Sequence, residues 1–211
     1  MSSSRSSAAK AANSDRQRLV RHESGLEATG AMRTRARLLA FGVDYLVIAA
    51  YLVILLALSL VVLASPFRDA YLSVWSNAES AEIAGFMLLT MPVVLYFSVM
   101  ESSATGATLG KRLFHLRVVT LDGSRLSFGR GFLRSAVKFL PWELAHFTIW
   151  HLVYGGSGHS RPPAWTAVTL TAVYVLAAAF LVTLFVGREH RTIYDRIAGS
   201  RVEPDIPSGH R

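Results

Sequence analysis

Three long runs of uncharged, mostly apolar residues constrain this chain more than any other feature. Residues 38–64 carry a single charge, Asp44, and twenty uncharged residues follow it from Tyr45. Residues 83–100 are eighteen without a charge, and residues 165–187 are twenty-three. A helix needs about 20 predominantly apolar residues to cross the hydrocarbon core of a bilayer. Buried helices of soluble cores are shorter, roughly 10–14 residues, and a chain of 211 residues could not wrap three of them in amphipathic layers. Only 17% of residues are charged, against roughly a quarter in a soluble domain. An integral membrane protein follows. The first run is not read as a cleaved signal sequence, because thirty-seven residues precede it, it is too long for a signal core, and it contains Asp44.

A weaker stretch, residues 136–154, holds Lys138, Pro141, Glu143, His146 and His151, so hydropathy alone scores it poorly. The distribution of Lys and Arg, which favour the cytoplasmic side of short loops, settles it. Eight basic residues precede Leu38, the loop 65–82 has only Arg68, and the segment 101–134 has six. The loop 155–164 has only Arg161, and five basic residues follow Gly187. This alternation fits four spans, at about 38–64, 83–100, 136–154 and 165–187, with both termini cytoplasmic. Three spans would place the basic loop and the basic tail on opposite sides. The excess of positive charge then reflects topology beside anionic headgroups and calls for no nucleic acid. The expected fold is an all-α, four-helix transmembrane bundle in the plasma membrane. Residues 1–30, rich in Ser, Ala and Arg, read as a disordered tail; the membrane domain covers 31–203, and 204–211 form a short polar tail.

Between spans two and three, residues 116–128 read LRVVTLDGSRLSF, two β-prone runs around Asp122-Gly123. Asp-Gly in that setting signals a tight hairpin with positive φ at both central positions. Beyond it, Phe128, Phe132, Leu133 and Ala136 share one helical face with Arg130 and Arg134 opposite. That pattern suits an amphipathic helix at headgroup level leading into span three.

Asp44 is the most informative side chain. It lies seven residues after Arg37, which puts both on one helix face, and a carboxylate inside a span costs roughly 2.5–3.5 kcal/mol at mid-membrane. It is a functional candidate, with a structural pin to a cytoplasmic arginine as an equal alternative. Asp195, flanked by Arg191 and Arg196, falls at the same membrane face as Arg37. Glu143 and His146 are helical neighbours, a spacing that suits proton relay or, with a second such motif, a metal. No second motif exists, so polar packing is preferred and neither metal nor cofactor is expected. The segment 106–112, GATLGKR, fails as a phosphate loop, because Thr105 stands where glycine is required and Arg112 where Ser or Thr is required. No nucleophile–base arrangement appears, and an enzyme is not expected.

Taken together, the segments RARLLAFGVDYLV, GATLGKRLFHLRVVTLDGSRLSFGRGFLR and RTIYDRIAGSRV resemble the RDD family of small bacterial membrane proteins, named for one arginine and two aspartates. The resemblance places the arginine on Arg37 and the aspartates on Asp44 and Asp195, with Gly106, Gly110, Lys111 and Arg112 as secondary motif positions. Tyr194 stands where many members carry histidine. The resemblance implies a four-span fold and leaves two functions open, of which the first is preferred. One is a cation/proton exchanger or related secondary transporter, a homo-oligomer handling monovalent cations and protons, with Asp44 and the Glu143–His146 pair on its path. An adjacent Arg37 would oppose that role by holding Asp44 ionised. The other is a non-enzymatic scaffold or assembly factor whose basic cytoplasmic segment binds anionic lipid or a partner protein.

Overall fold

The computed structural model describes residues 34–155, 163–185 and 191–205. The proposed tail 1–30, residues 206–211 of the proposed tail 204–211, and residues 156–162 and 186–190 lie outside the described residues. Helix α1 (Thr34–Leu63) is the first of three helices long and apolar enough to cross a membrane. A short helix α2 (Arg68–Val74) follows. The second long rod, Ala78–Glu101, comprises α3 (Ala78–Gly85), a π turn (Phe86–Thr90) and α4 (Met91–Glu101). Asn77 starts it by accepting the Ser80 N–H at 3.0 Å.

Pro92 explains the π turn. It has no N–H to offer the Leu88 carbonyl four residues back, and an unpaired carbonyl inside a membrane is costly. The Tyr51 hydroxyl of α1 donates to that carbonyl at 2.6 Å. The turn thus ties α1 to the second rod.

After α4 the chain makes α5 (Leu109–Leu113), β1 (Leu116–Thr120) and a 28-residue helix α6 (Phe128–Gly155). The third apolar helix, α7 (Ala164–Phe185), leads to α8 (Ile193–Ile197) and β2 (Ser200–Pro204). Almost none of the apolar windows of α1 and α7 is buried inside the chain. Leu46, Val53, Val61, Val168 and Tyr174 point outward, an arrangement that only a lipid environment reconciles with the hydrophobic effect. The apolar core is a small cluster of Ile48, Val93, Val94, Phe97 and Phe139, joined by Leu52, Tyr96 and Trp142.

Two sequence expectations need correction. The Asp122-Gly123 turn forms, with Gly123 at φ 83° and the Thr120 N–H donating to the Ser124 carbonyl at 3.0 Å. Asp122 itself has no positive φ; its carboxylate accepts the Ser124 N–H and hydroxyl instead. The second arm forms no strand and makes one bridge, Val119 to Arg125. β1 pairs antiparallel with β2 from the far end of the chain, Leu116 opposite Pro204 and Thr120 opposite Ser200. Arg125 is drawn off to the Ser102 carbonyl at 2.6 Å, and the chain turns directly into α6.

The second correction concerns the amphipathic stretch, which is the first part of α6 rather than a separate helix. Phe128, Phe132 and Leu133 face outward, while Arg134 is buried. Arg130 stays exposed, whereas the charge of Arg134 is spent on ion pairs within the bundle.

Candidate functional site

At one end of the bundle five segments, α5 with Lys111 among them, converge on a buried ion network. α1 brings Arg37 and Asp44, the end of α4 brings Glu101, the start of α6 brings Arg134, and α8 brings Asp195. Arg37 Nη2 donates to Asp195 Oδ2 at 2.7 Å. Asp195 Oδ1 accepts from Arg134 Nε at 2.9 Å and Nη2 at 2.7 Å. Arg134 Nη1 reaches Glu101 Oε2 at 2.5 Å, and Lys111 Nζ closes the chain on Glu101 Oε1 at 2.6 Å. Each carboxylate lies between two cations, the arrangement that makes a buried charge tolerable.

Local sequence sets these positions. The Thr192 N–H and hydroxyl donate to Asp195 Oδ2 at 3.1 and 2.7 Å, so the aspartate fixes the first turn of α8 while facing the arginines. Burial alone would raise the Asp195 carboxyl above its usual range, but Arg134 and Arg37 outweigh it and hold it well below. Burial pulls Lys111 below the usual lysine range, with Glu101 opposing. Tyr194 is raised by burial and by Asp195, and its ring lies 5.0 Å from the Arg134 guanidinium carbon.

Asp44 has a different environment. It accepts from the Thr108 hydroxyl at 2.6 Å, the Gly110 N–H at 2.9 Å and the Tyr96 hydroxyl at 3.0 Å. None of these donors is charged, and Arg37 turns to Asp195 instead. Close backbone approaches explain both motif glycines, of α5 to α1 at Gly110 and of the preceding loop to β1 at Gly106. A Cβ on Gly110 would sit 2.0 Å from the Ala40 carbonyl oxygen, and one on Gly106, at φ 61°, would sit 2.9 Å from that of Val118. Thr108 caps α5, accepting the Lys111 N–H while its hydroxyl donates to Asp44. Arg112 donates to the Ala107 carbonyl at 3.1 Å and braces the loop.

The structure therefore brings together Arg37, Asp195 and Lys111 directly, and Asp44, Gly106, Gly110 and Arg112 around them. It does not bring Glu143 and His146 into the network. Glu143 accepts a short hydrogen bond from the Thr90 hydroxyl of the π turn. His146 packs edge-on against Trp142 with centroids 4.8 Å apart, and its Nδ1 has no partner among the described residues. His151 contacts its own helix at the Phe147 carbonyl. Among the described residues no group of His, Asp or Glu is arranged to hold a metal.

Sequence reasoning gave no site role to Glu101, Thr108, Arg134 or Lys138. One signal existed. Arg130, Arg134 and Lys138 recur every four residues and run from the loop into an apolar stretch, which places a cationic stripe on one face of α6. Glu101 closes the uncharged run, and its role depends on that stripe packing against it.

A cavity of about 230 Å³ opens beside the network, lined by Asp44 and the four cations Arg37, Lys111, Arg134 and Lys138, with Leu38, Phe41, Phe180 and Leu181 among its apolar walls. The model of the RDD family matches residues 33–199, most of the chain. No curated protein and no solved structure matches it.

Proposed function

We propose that this chain, which belongs to the RDD family, is a non-enzymatic scaffold or assembly factor of the plasma membrane that spans the bilayer four times. Both termini are cytoplasmic in this reading, and the basic face between spans two and three engages anionic lipid or a partner protein. The fourth span is α6: its 28 residues reach about 42 Å at 1.5 Å per residue, enough to cross despite its polar side chains. The start of α1, the end of α4, the start of α6 and the residues after α7 all meet in the ion network, as an antiparallel four-helix arrangement requires. The Lys and Arg distribution puts that end inside.

The observation that carries the scaffold reading is the saturation of the acidic groups. Asp44 holds three donors, and Glu101 and Asp195 are each bridged by two cations. A site rich in cations with no open carboxylate repels a monovalent cation rather than conducting it. Arg117, Arg125 and Arg130 remain on the outer basic segment, Arg117 in a half-exposed pair with Glu203. Charge reversal at Arg125 and Arg130 should reduce binding of the purified protein to anionic vesicles, or capture of its cross-linked partners. Variants that keep every contact would overturn the reading.

One observation favours the cation/proton exchanger. Arg37 pairs with Asp195, and Asp44 keeps neutral hydrogen-bond donors and lines the cavity, where a cation that enters can reach it. Proteoliposome assays of proton flux driven by sodium, potassium or lithium decide between the two. Flux that vanishes in a well-folded Asp44→Asn protein supports exchange. A wild type without flux, together with an unstable Asp44→Asn, supports the scaffold.

A further inference from the structure

Lys138 is the charge that the network does not use. Arg37, Lys111 and Arg134 each reach a carboxylate, whereas the Lys138 ammonium meets ring faces. Its Nζ lies 3.4 Å from the Phe97 centroid, 4.7 Å from that of Phe41 and 5.2 Å from that of Phe139. Among the described residues it has no hydrogen-bond or ion-pair acceptor. Among the described residues around the cavity, the basic side chains Arg37, Lys111, Arg134 and Lys138 outnumber Asp44, Glu101 and Asp195 by one. Lys138 lines the cavity, so an anion that enters can reach it.

The walls say what kind of anion. The cationic side chains stand beside Leu38, Phe41 and Leu181, and these three are exposed on outward, apolar faces of α1 and α7. A soluble anion would use the charge and leave the apolar wall idle. A phospholipid uses both, and basic pockets between transmembrane helices at the cytoplasmic level are a recognised way to hold anionic headgroups. Lysine suits the phosphate as a point charge with three donors.

We propose that this cavity holds the phosphate of an anionic phospholipid, with Lys138 Nζ as the cation that meets it and the acyl chains lying along Leu38, Phe41 and Leu181. The proposal deepens the scaffold reading by giving its lipid a defined seat. The ligand completes the charge balance of the network, and lipid binding and bundle stability are therefore linked.

The test measures the thermal midpoint of the full chain in a neutral detergent, titrated with phosphatidylglycerol, phosphatidylcholine or inorganic phosphate. Phosphatidylglycerol should raise the midpoint, and the other two should not at the same concentration. Lys138→Gln should weaken the phosphatidylglycerol response at least tenfold, Lys138→Arg should retain it, and Arg196→Gln, an equal loss of charge at an exposed position outside the cavity, should leave it intact. Equal shifts with phosphatidylcholine, a full shift with inorganic phosphate alone, or an unchanged response in Lys138→Gln would each overturn the proposal. The wild-type comparison of the three ligands needs no variant, so a poorly folding Lys138→Gln does not remove the test. Loss of vesicle binding in the Arg125 and Arg130 charge reversals without a Lys138-dependent response would sink this seat alone, and kept vesicle binding with an intact Lys138 response would overturn the scaffold reading and leave the seat standing.

Discussion

The two polar regions of this bundle handle buried charge in opposite ways. At the network end, Arg37, Asp195, Arg134, Glu101 and Lys111 form an unbroken chain in which each carboxylate has two cationic partners. Along the other half of α6, Glu143 has one hydroxyl from Thr90, and His146 has an aromatic neighbour with a nitrogen left unpaired. The first region couples segments more than 150 residues apart in sequence. The second joins α6 to the π turn through a single hydrogen bond. The same residue types thus give a cooperative lock where charges alternate, and ordinary polar packing where they stand alone.

Arg134→Met should break the comparison most sharply. Removing it strips Glu101 and Asp195 of a shared partner, and truncating one member of a buried ion set costs about 3–5 kcal/mol. Denaturant or thermal unfolding in detergent checks this; a loss below about 1 kcal/mol would mean that the network does not hold the bundle together. Gly110→Ala comes next. Its Cβ would drive against the Ala40 carbonyl oxygen, and overpacking of this kind costs about 1–3 kcal/mol. Gly129→Ala is the control: a Cβ there meets nothing within 4 Å, so the midpoint should hold or rise slightly.

The pH dependence sharpens the contrast further. Asp195 has a carboxyl held below its unfolded value near 3.9, so its contribution is fully present above about pH 4 and is lost as pH falls through the folded value. An acid titration of stability should show that loss in the wild type and a smaller one in a folded Asp195→Asn. Equal acid sensitivity in both would show that Asp195 is not coupled to folding. The smallest effect belongs to Glu143→Gln, which keeps an acceptor for Thr90 and should change stability by about 0.6 kcal/mol, the average for interhelical hydrogen bonds in membranes. A loss as large as that of Arg134→Met would erase the distinction between the two regions.

Much of the architecture was legible in order. The uncharged runs correspond to α1, the Ala78–Glu101 rod and α7, because a span's composition is imposed by its solvent and survives without knowledge of its neighbours. The motif glycines were legible as motif positions, without the close approaches that require them. The partner of each charge was not. Arg37 shares a helix face with Asp44, and that proximity suggests a pair, yet Arg37 reaches Asp195, 158 positions away. The hairpin shows the same limit: Asp122-Gly123 makes its turn locally, while β1 takes its strand partner from residues 200–204.

What the sequence determined by itself is whatever rests on local periodicity and solvent: the apolar helices, the turn at Gly123, and the charge alternation that orders the loops. The tertiary structure alone decided which carboxylate each cation meets, why Gly110 must lack a side chain, and that Lys138 faces a cavity while Arg134 closes a network. The physical reason is that buried charges are settled by competition among all the groups that reach one place. Arg37 pairs with Asp195, while Asp44 takes three neutral donors, from Thr108 and Gly110 at the start of α5 and from Tyr96 of α4.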